Sequence, residues 1–154
     1  MPRLAFLLLL LLAASARGAE VEVVRVFTGW RDAASFKRIS EYFTGREHTG
    51  GEIVRRTQAG ERAGYYFLVR TANAGPERAA RFELAVILPS SPEPRRHDFA
   101  VRLPAGAAVF NLGLTGGDWP ARTTDAVAWR LELRDEAGTL LASARSYLWE
   151  KPVR

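Results

Sequence analysis

Alternation of apolar and polar side chains through the second half of the chain commits it to half-buried strands. In 81–88, Phe82, Leu84, Val86 and Leu88 fall on one side, and Arg81 and Glu83 on the other. Phe99, Val101 and Leu103 alternate with Asp98, Ala100 and Arg102. Val127, Trp129, Leu131 and Leu133 alternate with Ala128, Arg130, Glu132 and Arg134. Successive side chains of a strand point to opposite faces, so each segment has one dry and one wet side. One-sided burial belongs to antiparallel sheets, whereas parallel strands are covered on both faces and read as unbroken apolar runs.

Further strands are expected at 20–27, 52–57, 64–72, 107–114 and 139–149. In the first, the phase slips at Val23-Val24, which predicts a β-bulge or a bend between sheets. The segment 64–72 is apolar on both faces from Tyr65 to Val69, the mark of a central strand covered on both sides. Gly138, in Asp135-Glu136-Ala137-Gly138, predicts a hairpin between 126–134 and 139–149. Asn73-Ala74-Gly75-Pro76 predicts a second hairpin, between 64–72 and 79–88. Pro89, Pro92 and Pro94 exclude 89–96 from the middle of a sheet.

One stretch departs from this pattern. Phe36, Ile39 and Phe43 recur at helical spacing, Asp32 precedes them where an N-cap belongs, and Gly45 follows as a C′ glycine would. The spacing predicts an amphipathic helix over 33–43, although Ser35–Ile39 also alternates well enough for an extended segment. The expected architecture is all-β: an antiparallel immunoglobulin-like or fibronectin-like sandwich of about eight strands, with one short helix inserted near residues 33–43. Residues 19–150 are read as a single domain.

Before that domain comes MPRLAFLLLLLL, then Ala13-Ala14-Ser15-Ala16. Arg3 ahead of a short apolar run, with small residues behind it, reads as a signal peptide over 1–16; cleavage after Gly18 is the second choice. The run spans about 20 Å as a helix, short of the roughly 30 Å hydrocarbon core, so no membrane span is expected after cleavage. A periplasmic or secreted location follows. Removal of 1–16 leaves 21 basic against 17 acidic residues, a net +4. That charge, with no long Lys/Arg run, gives no reason to expect nucleic acid as a partner.

Chemistry finds little to build on. The chain has no cysteine, so disulfides, thiol catalysis and Cys-based zinc sites are excluded. Its two histidines, His48 and His97, each stand near carboxylates but supply one nitrogen ligand apiece, and no metal or cofactor is expected. No G-x-S-x-G elbow is present, and Gly113–Gly117 lacks the lysine of a phosphate loop.

Binding is the better reading. Trp30 beside Arg31, and Trp119 beside Asp118, fall in expected loops, where a flat amphipathic ring can anchor a partner or stack on a sugar. The alternative is that each folds back as a lid on the sandwich. Arg31, Arg38, Arg46, Arg55, Arg56, Arg62 and Arg70 concentrate the basic charge in the first half of the domain, a face suited to an anionic polymer or acidic partner unless these arginines pair internally. Candidate contact residues are Trp30, Arg31, Arg38 and Trp119. The expected function is a non-catalytic exported module that binds a protein partner or glycan of the cell envelope. A structural or assembly component of the envelope ranks second, and a small secreted hydrolase third.

Overall fold

Two four-stranded sheets face one another in the computed structural model, which describes residues 20–150. The expected signal peptide therefore lies outside the described residues. The strands are β1 (Val21–Arg31), β2 (Ile53–Arg56), β3 (Gly64–Asn73), β4 (Arg78–Leu88), β5 (Ser91–Leu103), β6 (Gly106–Thr115), β7 (Ala128–Asp135) and β8 (Leu140–Arg145). The first sheet has the order β1-β3-β6-β2 and the second β5-β4-β7-β8. This is an all-β sandwich of immunoglobulin-like strand order, in which consecutive strands repeatedly change sheets. All pairs are antiparallel except β2, which runs parallel to β6.

The core forms where the dry faces meet. Phe67 and Val69 of β3 and Phe110, Leu112 and Leu114 of β6 oppose Phe82 and Leu84 of β4 and Leu131 and Leu133 of β7. Phe82 and Phe110 bridge the sheets edge to face at 5.0 Å between ring centroids. The bulge falls where the phase slips: Val23 pairs with Thr71 and Arg25 with Arg70, leaving Val24 unpaired. β5 starts earlier than its alternation suggests and carries Pro92 and Pro94, which its edge position permits.

Three expectations need correction. β3 and β4 are not a hairpin, because β1 and β6 occupy both edges of β3 and send β4 to the other sheet. Asn73 secures that crossing: its Nδ2 donates to the Pro76 and Pro104 carbonyls, and its Oδ1 accepts from Gly75 N–H. The last strand stops at Arg145, so Trp149 lies in a 3-10 turn rather than on a strand. Ser146 ends the pairing by donating its N–H to the Trp129 carbonyl and accepting the Trp129 N–H at its Oγ.

The third correction concerns 33–43. A 3-10 turn covers Ala33–Phe36, the backbone extends through Lys37 and Arg38, and α1 (Ile39–Thr44) follows. Gly45 closes α1 at φ 64°, as its spacing predicts. Asp32 caps nothing with its side chain, because that carboxylate accepts from the Trp30 indole and pairs with Arg122. Phe36 is drawn down onto the sheet, and the extended pair Lys37-Arg38 carries α1 off that line.

Candidate functional site

Residues 32–52, between β1 and β2, cross the outer side of the first sheet and bring two of the four sequence-nominated residues, Arg31 and Arg38, to one region. What pins them is Tyr66. Its side chain points outward from β3 and lies across Gly113, where an added Cβ would meet the ring at 2.5 Å. Phe36 packs on that ring at 4.7 Å between centroids, with the Arg31 and Arg56 guanidinium groups 4.6 and 4.8 Å from the Phe36 ring. Arg56 also makes a bidentate pair with Glu47 at 2.6 and 2.9 Å and donates from Nε to the Tyr66 hydroxyl at 2.7 Å. The hydroxyl in turn donates to the Arg62 carbonyl, and Arg62 pairs with Glu41.

These contacts tune the charges in predictable directions. The Arg56 hydrogen bond holds the Glu47 carboxyl below the usual carboxylate range, against the effect of burial. Arg62 does the same for Glu41. Burial pushes the Tyr66 hydroxyl up, with Arg56 opposing it. Arg56 and Arg62 are thus internal fasteners. Arg25, Arg31, Arg38, Arg46 and Arg70 have no carboxylate within ion-pair distance among the described residues.

The nominated residues divide accordingly. Arg38 is exposed, with its guanidinium against Gly50. Arg31 reaches Asn111 Oδ1 at 2.9 Å while stacking on Phe36. Trp30, the next residue along the strand, points to the other face, is half-buried against the core and donates to Asp32 Oδ1. Trp119 is only 4% exposed, which removes it as a contact residue. It stacks on Tyr65 at 4.1 Å and donates from Nε1 to the Thr124 carbonyl, so it is a lid on the core.

Among the described residues, the most exposed apolar side chains lie on α1. Ile39, Tyr42 and Phe43 are 79%, 82% and 84% exposed, and no residue of α1 is buried. Spacing of i, i+3 and i+4 puts the three on one side of the helix. The helical periodicity flagged Ile39 and Phe43 as a buried face and left out Tyr42; the stripe exists, but none of the described residues covers it. Lys37 and Arg38 precede it and Arg46 follows, so cations border an apolar ridge.

The second sheet's outer face carries a row of carboxylates. Asp98, Glu83 and Glu132 are register neighbours on β5, β4 and β7, beside a groove of about 320 Å³. Arg81 and Arg134 bind Glu83, and Arg134 also binds Glu132. The Arg81 hydrogen bond keeps the Glu83 carboxyl below its ordinary value, whereas a general acid needs a raised one. Among the described residues, no group of three His, Asp or Glu side chains is placed to hold a metal ion.

His97 has a different role. It is half-buried on β5, its Nε2 has no hydrogen-bond partner, and burial lowers its pKa against the pull of Asp118 and Asp98, with Arg95 adding to the lowering. The unfolded chain therefore binds more protons below about pH 6.5, and stability falls as pH drops from there toward the lower folded value. His97→Gln should flatten that part of the curve, measured by urea unfolding at pH 7.5, 6.5 and 5.5. An unchanged slope would remove His97 from the acid response.

No protein-family model matches the chain, and no curated protein matches it. A solved structure from Bacteroides fragilis, provisionally named a beta-galactosidase, is similar over 82% of this chain at 13% identity and a TM-score of 0.42. This chain spans 17% of that protein's length.

Proposed function

We propose that this chain is an exported, non-catalytic β-sandwich module of the cell envelope, and that it binds a protein partner through α1. The observation that carries the reading is the ridge of Ile39, Tyr42 and Phe43, standing clear of the sheet on a helix with no buried residue. Large exposed apolar side chains on one helix face mark an interaction surface, and aromatic residues dominate binding energies. Lys37, Arg38 and Arg46, none of them within ion-pair distance of a carboxylate among the described residues, specify the other half: an apolar groove rimmed by Asp or Glu. Export rests on residues 1–16, whose short apolar run and Ala14-Ser15-Ala16 fit a cleaved leader.

Assembly through strand edges has less support. The β5 edge carries Pro92 and Pro94, and β2 is four residues long.

A photo-crosslinking amino acid in place of Tyr42, in the full chain expressed in its native envelope, should give one discrete protein adduct. Its mass spectrum identifies the partner, and the partner's purified domain should bind the wild type at least tenfold more tightly than Phe43→Ser or Arg38→Glu. Adducts with lipid alone, or equal binding by all three proteins, would overturn the reading. Export is checked by the N-terminus of the mature protein, expected at Arg17 or Ala19; an intact Met1 would refute it.

A further inference from the structure

We infer a second binding site, separate from α1: the outer face of β1 and β3, where Arg25 and Arg70 flank Phe27, takes a carboxylate-bearing polysaccharide. Strand parity puts the three side chains together. Val26 and Val69 are register partners turned toward the core, so Arg25, Phe27 and Arg70 face outward. Arg25 and Arg70 are themselves register partners. Like charges directly opposite one another weaken an antiparallel pair, and no carboxylate among the described residues relieves this one. On the second sheet the same problem is solved internally, with Arg81, Arg130 and Arg134 all paired to Glu83 or Glu132. On the first sheet no described carboxylate neutralises the pair, which leaves it open to an external anion.

The two guanidinium groups are held in place. Both sit over the Phe27 ring, at 5.4 and 5.8 Å from its centroid, and the residue is 47% exposed. Stacking on a ring engages the guanidinium face and leaves its N–H edge free to grip a carboxylate with two bonds. Beside them runs an open groove of about 570 Å³. Val24 forms one side, Ala72, Ala107 and Val109 line it, and Gly50-Gly51 stand opposite. Glu52 is the one carboxylate residue lining it, and its Oε2 already accepts from Asn111 Nδ2 at 2.6 Å.

Surface shape favours a sugar chain over an acidic peptide. The backbone of β3 is paired on both sides, so an extended peptide laid across β3 gains no main-chain hydrogen bonds there. The short aliphatic side chains make a shallow apolar floor on which the CH faces of pyranose rings can rest. Arginine's planar fork matches the carboxylate of a uronic acid.

The test is calorimetric titration of the wild-type chain, after leader removal, with polygalacturonate oligomers, their methyl esters, dextran sulfate and poly-glutamate. Polygalacturonate should bind, weaken with added salt and lose affinity at least tenfold on methyl esterification. Arg25→Gln and Arg70→Gln should each weaken it about fivefold or more, and Arg70→Lys should do so while keeping the charge. Arg102→Gln removes an equal charge from the second sheet and should change affinity less than twofold, as should Phe43→Ser in α1. Melting curves of Arg25→Gln and Arg70→Gln should match or exceed wild type, since each removes the repulsion between register partners. Undetectable polygalacturonate binding, an Arg25/Arg70 double variant that binds like wild type, or equal affinity for dextran sulfate or poly-glutamate would overturn the inference.

Discussion

Phe67→Ala is expected to cost about 3–5 kcal/mol of stability, a large share of the roughly 5–15 kcal/mol a domain of this size holds. Phe67 is fully buried at the centre of β3, which is itself flanked by β1 and β6. Its ring meets Tyr65 at 5.7 Å and Trp129 at 5.8 Å, both edge to face, so it joins the first sheet to β7 of the second. Removing it takes away the transfer energy of a benzyl group and leaves a void that strands paired on both sides cannot close. Thermal unfolding should shift down by about 10 °C or more. A shift under about 3 °C would mean that the sheets do not pack through this residue.

Arg56→Met should produce the second large effect, of a different kind. The substitution deletes the bidentate pair with Glu47, the bond to the Tyr66 hydroxyl and the contact with Phe36. It also strands a partly buried carboxylate, whose remaining cation is Arg62 at 3.8 Å. Breaking such a pair costs about 2–4 kcal/mol, toward the low end for groups with some solvent access. Because these contacts tie residues 32–52 to the sheet, the loss should appear as local opening. Limited proteolysis should cut faster between Lys37 and Arg46 while the cooperative melt of the sandwich survives. Unaltered proteolysis would show that Phe36 alone holds the segment.

Acid should imitate that variant. Glu47 has a folded value below its unfolded one, so its contribution is complete above the unfolded value, about 4.3, and disappears as pH falls through the folded value. The His97 response begins near pH 6.5, so the two processes separate on the pH axis.

Much of the sandwich was legible because alternation is local. Phe82, Leu84 and Val86 declare their dry side whatever they pair with, and the slip at Val23-Val24 declares a bulge without naming the partner strand. The prolines of β5 likewise excluded a central place in a sheet, since a missing N–H is missing in any context. Site residues were harder. Adjacent Arg55 and Arg56 look alike in the sequence, yet Arg56 fastens Glu47 and Tyr66 whereas Arg55 reaches across to the Ala100 carbonyl. Trp30 and Trp119 looked like loop anchors, but both pack at Tyr65, one as its strand partner and one stacked on its ring.

The amino-acid order alone determined which face of each strand is dry, where the chain turns, and that the apolar residues of 33–43 repeat at helical spacing. Tertiary structure decided that β4 leaves β3 for the opposite sheet, that β2 joins β6 in parallel, and that Phe36 is buried while Ile39 and Phe43 are not. Periodicity depends on neighbours two to four residues away, whereas pairing and burial depend on which distant segment packs at an edge or a face. For the apolar side of α1, no segment of the described chain arrives.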